Sequence, residues 1–259
     1  MNEATNTLTR YFGKNDSTTV HYYGSGRGVT QFAELFPEHI LDDIRPEDKR
    51  DSPDLYMKKD NIVYIIEHFE FDCYSSTRKG GSSFRLEEAR IEKRIRKVIP
   101  TEEGTITRDI IDAKSSYSDY IKNVSALFKR HSSHIPDYIR HLKESNIIKD
   151  NDIIKVVFLI EDVSPLGSRA YNRGIGYAGE PVPIVLANCA EFLELMKSDT
   201  VVDYVIACSS IDRQDIVWFV DREEIQEYLS NAEDYEHMEF LDLKPNVVSA
   251  QIAIPQDKL

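Results

Sequence analysis

The chain has 259 residues, 41% of them hydrophobic, 10% aromatic and 30% charged. A chain of that length buries about three quarters of its unfolded surface. Its composition is too apolar for a disordered chain and too interrupted for a membrane protein, because its longest aliphatic or aromatic stretches, such as 156–160, fall far short of the roughly 20 residues of a spanning helix.

With 32 basic and 45 acidic residues the formal charge is −13, which repels nucleic acid unless positive charge is gathered in one place. The three cysteines, Cys73, Cys189 and Cys208, are far apart and in no CxxC spacing, which argues against a disulfide framework and a cysteine zinc site. Residues 1–6 are polar and show no signal peptide. These features point to a cytoplasmic protein with no membrane association.

In chain order, 18–23 is β-rich and ends at Gly24. The loop Gly24-Ser25-Gly26-Arg27-Gly28 follows. Its third glycine comes one residue too early for GxGxxG and no P-loop Gly-Lys-Ser/Thr follows, so it reads as a plain turn or an anion cradle. Thr30 caps a helix through Phe32, Leu35, Phe36, Ile40 and Leu41, and 45–50 is a charged link. Residues 55–57 and 61–72 read as two strands joined by the turn Lys58-Lys59-Asp60-Asn61. Between Tyr74 and Val98 eight basic residues stand against three acidic ones, a local charge of +5. This strip is predicted to be helical over 85–98 and to stop before Pro100.

Tyr117, Tyr120, Ile121, Val124, Leu127 and Phe128 recur at helical spacing, as do Ile135, Ile139 and Leu142. Pro136 makes this either two helices or one kinked helix. The β-branched run 153–160 reads as a strand buried on both faces. Residues 163–183 hold four glycines and three prolines, the mark of a functional or mobile loop. Then come a short strand (184–187), a helix (191–197), strands (203–209 and 215–220), a helix (222–229) and a strand near 247–254. The fold class is α/β (α+β): a single domain over 1–259 with a mixed central sheet flanked by helices.

The chemistry gathers on the hairpin. Asp54 opens its first strand and Glu67 lies 13 residues on, near the end of the second. A tight hairpin brings the two carboxylates together as hard oxygen ligands for a shared Mg²⁺ or Mn²⁺. Such an ion serves metal-assisted phosphodiester cleavage. Alternatively, Asp54 is an ordinary strand-start residue and Glu67 a solvent-facing charge. By strand parity His68, Glu70 and Asp72 share the opposite face, either as a second ligand set or as a solvated row.

The helix with Glu34, the hairpin with Pro53-Asp54 and Glu67, the long helical segment and the buried strand, together about 30–162, resemble the PD-(D/E)XK or restriction-endonuclease-like nuclease superfamily. The C-terminal α/β part, about 183–259, lies outside the resemblance. It implies that Asp54 and Glu67 bind metal and that Glu34 assists. It also implies a lysine two residues after the second carboxylate, where this chain has Phe69. Members of the superfamily relocate that lysine, and Lys79 is the nearest candidate.

The basic strip, represented by Arg78, Arg94 and Lys97, reads as a solvated helix face or a nucleic-acid contact. The loop residues Arg169 and Arg173, interleaved with Tyr171 and Tyr177, read as contacts for phosphates and bases or as plain loop surface. His131, His134 and His141 are expected at the surface, and Cys208 in the core. The expected function is a metal-dependent nuclease acting on nucleic acid; the alternative is a catalytically inactive member of the fold that binds a protein partner.

Overall fold

The computed structural model describes residues 3–12, 19–22, 45–46, 52–75, 83–98, 106–107, 115–164, 169–172, 182–211, 214–230, 232, 238–240 and 251–252. The helices are α1 (Glu3–Phe12), α2 (Ser83–Val98), α3 (Tyr117–Glu144), α4 (Ala190–Ser198) and α5 (Ile225–Leu229). The strands are β1 (Thr19–Tyr22), β2 (Arg45–Pro46), β3 (Leu55–Lys59), β4 (Ile62–Phe71), β5 (Ile106–Thr107), β6 (Ile153–Asp162), β7 (Arg169–Asn172), β8 (Val182–Pro183), β9 (Tyr204–Ile211), β10 (Gln214–Asp221), β11 (Met238–Phe240) and β12 (Gln251–Ile252).

Seven strands form one mixed sheet in the order β1-β10-β9-β6-β4-β3-β2. β4, β6 and β9 run parallel, while β3–β4 and β9–β10 are antiparallel neighbours. The parallel strands are apolar on both faces because helices cover both. On one side α3 and α4 pack against Val63, Ile65, Phe69, Phe158 and Val205. On the other, α1 lays Ala4, Leu8 and Tyr11 over Ile66, Leu159, Ile206 and Phe219. The chain therefore has the expected α/β fold, a mixed central sheet flanked by helices.

α3 is one helix of 28 residues. The Ser116 hydroxyl accepts from the Asp119 amide at 3.0 Å and caps its start. Asn146, at φ 58°, follows its end in the left-handed region. Pro136 stands inside it on the solvent side, so the missing N–H leaves the buried stripe unbroken.

Three expectations change. The apolar 184–187 is not a strand: Leu186–Asn188 is a 3₁₀ turn, and a short buried apolar run fits either state. The glycine-rich 163–183 contains β7 and β8, which join β11 in a second, three-stranded sheet. α1, absent from the sequence reading, carries an apolar stripe at i, i+4 and i+7 within a mostly polar segment. The predicted helix after Thr30, with Glu34, lies outside the described residues.

Candidate functional site

The β3–β4 hairpin turns through Asp60, whose φ of 53° an aspartate tolerates better than most residues. The register runs from Lys59↔Ile62 to Leu55↔Ile66. One step further sets Asp54 across from Glu67. Directly opposed residues share a face, here the α3 side. Asp54 is half-buried, and its Oδ2 accepts from the His68 amide at 2.8 Å. Burial pushes the Asp54 carboxyl above its usual range and the charge of Glu67 adds to the rise, against the opposing His68 amide.

Glu67 belongs to the inward row Val63, Ile65, Phe69 and Phe71, with only 5% of its side chain exposed. A carboxylate so placed requires partners. Both come from α3: Nδ1 of His131 at 2.6 Å and the hydroxyl of Tyr138 at 3.1 Å, each on Oε1. Oε2 is buried with no hydrogen-bond partner among the described residues. His131 is thus not a surface residue, which corrects the sequence reading. It extends the stripe Tyr117, Tyr120, Val124 and Phe128 by one turn. Phe69, two residues after Glu67, stacks on the His131 ring with centroids 4.8 Å apart.

The other face of β4 carries His68 and Glu70, as strand parity requires. Their ligand atoms fall within 4.8 Å of one another and of Glu161 from β6. Asp72 lies one residue beyond β4, accepts from the Tyr74 amide at 3.1 Å and sits 3.8 Å from Arg85. It is not a member of that group, so its expected place is taken by Glu161 from the neighbouring strand.

Glu161 is already engaged by α1, through Thr7 Oγ1 (2.8 Å), Arg10 (3.0 Å) and Tyr11 Oη (3.3 Å). Thr7 has one hydroxyl hydrogen, which goes to Glu161. The 3.1 Å contact between Thr7 Oγ1 and His68 Nε2 therefore requires the hydrogen on Nε2. That nitrogen then offers no lone pair to a metal, and Arg85 holds Glu70 at 2.7 Å. The cluster fastens α1 to the sheet. Burial pushes Glu161 up, but the His68 ring, Thr7 and Arg10 together hold it below its usual range.

Of the predicted basic contacts, Arg94 and Lys97 fall in α2 and Arg169 in β7. Arg78, Lys79 and Arg173 lie outside the described residues. Two other members of the strip meet acids: Arg85 pairs with Glu70, and Arg90 with Glu87. No helix among the described residues is long and apolar enough to cross a membrane. No protein-family model, curated protein or solved structure matches the chain.

Proposed function

We propose that this chain is a divalent-metal-dependent nuclease-like protein acting on nucleic-acid phosphodiesters, with Asp54 and Glu67 holding Mg²⁺ or Mn²⁺. The observation that carries the reading is the buried Oε2 of Glu67, without a hydrogen-bond partner among the described residues, near enough to Asp54 for its charge to act on that carboxyl. Unmet carboxylate charge at low dielectric is costly, and a hard cation removes that cost. The raised Asp54 carboxyl supports the reading: burial is the larger cause, and the charge of Glu67 beside it adds to the rise.

Bound there, the ion would polarise a phosphoryl oxygen and acidify a water. Asp54, held at Oδ2 by the His68 amide, and Glu67, held at Oε1 by α3, would supply the ligands. Hairpin, long helix and buried strand follow one another as β3–β4, α3 and β6, which agrees with the resemblance to the restriction-endonuclease-like superfamily. In this reading Glu34 supports Asp54 and Glu67 in holding the ion, Lys79 replaces the cation missing at Phe69, and Arg78, Arg94, Lys97, Arg169 and Arg173 meet the nucleic acid.

A second reading, an inactive scaffold that binds a protein partner, is favoured by Phe69 itself. Its ring is buried and stacked on His131, where a lysine would otherwise reach the site.

The test is cleavage of supercoiled plasmid and of single-stranded RNA in Mn²⁺ or Mg²⁺. Slow nicking, abolished in Asp54→Asn and Glu67→Gln and lost in Lys79→Met without loss of metal binding, supports the nuclease. Metal binding with no cleavage of either substrate favours the scaffold.

A further inference from the structure

Both donors that α3 brings to Glu67 fall on the same oxygen. His131 and Tyr138 are seven residues apart, two turns of one helix, and so present to the same face. Each bonds Oε1. The state of the His131 ring follows from its other neighbour, because Nη2 of Arg130 lies 3.1 Å from Nε2. A guanidinium only donates, so Nε2 accepts and the ring hydrogen sits on Nδ1, from which it is donated to Glu67.

In that tautomer the imidazole is neutral. It orients Glu67 without cancelling its charge. Phe69 lies nearly parallel to the ring, 16° between planes, and fixes its tilt. The carboxylate is therefore locked at one oxygen, while the other stays buried and, among the described residues, without a hydrogen-bond partner.

Resting on the proposed Asp54–Glu67 metal site, we infer that His131 and Tyr138 are its positioning residues: by fastening Oε1 they present Oε2 to the divalent ion. Neither touches the ion. Groups that orient a ligating side chain in this way typically contribute 10–100-fold to metal affinity.

The test is Mn²⁺ binding to the full chain, measured by isothermal titration and by Mn²⁺ electron paramagnetic resonance, with melting temperature and circular dichroism followed in parallel. The parent and four variants are compared: Glu67→Gln, His131→Phe, His131→Asn and Tyr138→Phe. Phenylalanine at 131 keeps a ring for Phe69 and removes the donor. Asparagine places an amide N–H near the position of Nδ1.

The expected pattern is binding by the parent, loss in Glu67→Gln, about 10–100-fold weakening in His131→Phe, a smaller weakening in Tyr138→Phe and recovery of most affinity in His131→Asn. A residue that merely packs would alter melting and leave affinity and spectrum unchanged. Should the parent bind while His131→Phe and Tyr138→Phe bind equally well, the positioning role is wrong and the metal site stands. Should the parent bind no Mn²⁺, or Glu67→Gln bind like the parent, the site and this inference fall together. If His131→Phe does not fold, Tyr138→Phe decides: undiminished affinity there overturns the role.

Discussion

The rings of Phe69 and His131 lie face to face, centroids 4.8 Å apart and planes 16° from parallel, at the spot where the nuclease resemblance calls for a lysine. Phe69 also meets Phe158 edge-on at 5.7 Å. Such ring pairs contribute about 0.5–1.5 kcal/mol each beyond the area they bury. Phe69→Leu is expected to lower unfolding free energy by roughly 1–3 kcal/mol through the lost pairs and imperfect refilling. Urea denaturation measures it, and an unchanged midpoint would show that the stack contributes nothing to stability.

Asp54 offers a test of sign. Its carboxyl is raised, so between its unfolded and folded ionisation ranges the native state binds more protons, and stability falls as pH rises through that window. An asparagine in its place removes the charge and keeps an oxygen for the His68 amide. Without metal, Asp54→Asn is therefore expected to melt higher than the parent at pH 7, with the gap closing toward pH values where aspartate is protonated. A thermal-melt series over pH checks this. A variant that melts lower at pH 7 would mean that the charged bond to His68 outweighs the repulsion from Glu67.

Glu161 has the opposite sign. Its folded carboxyl is depressed, so the stability it contributes is fully present above the unfolded glutamate range and is lost as pH falls through the folded value. Glu161→Gln is expected to melt lower at pH 7, with the difference shrinking in acid. Thr7→Val is expected to cost about 1–3 kcal/mol, since it takes one partner each from Glu161 and His68 in a buried place. Parallel denaturation curves with equal midpoints at pH 7 would contradict both.

The basic strip makes a salt-dependence prediction. If Arg94 and Lys97 each neutralise a phosphate, replacing both with glutamine reduces the slope of log affinity against log salt by about two units on duplex DNA. Fluorescence anisotropy from low to moderate salt reads the slope. Binding that does not respond to salt would return the strip to a solvated helix face.

Asp54 and Glu67 were legible because their meeting is local: a two-residue turn and a period of two place them opposite each other, 13 residues apart. His131 and Tyr138 were not, being 64 and 71 positions from Glu67. Their arrival depends on how α3 is rotated over the sheet. A signal existed: 117, 120, 124, 128, 131, 135, 138 and 142 form one stripe. Pro136 masks it, because a proline within a helical pattern reads as a break in register, whereas here it lies on the exposed side of the helix. Glu161 was hidden for another reason, since strand neighbourhood across a crossover is not written in either strand. α1 gives a weak signal because its three buried apolar residues, Ala4, Leu8 and Tyr11, are set in a largely polar segment.

The attachment of α1 bears on how the chain comes to fold as it is made. Its partners Glu161 and Phe219 lie about 150 and 207 residues downstream of Tyr11 and Phe12. At about 5–20 residues per second of synthesis, roughly 10–40 s separate α1 from β10. During that interval Ala4, Leu8 and Tyr11 have only part of their sheet to cover, since β4 and β6 precede β9 and β10, and ten residues of isolated helix are marginal in water. The first helix in sequence is thus among the last elements to be secured, and closure of its face waits on strands from the far end of the fold.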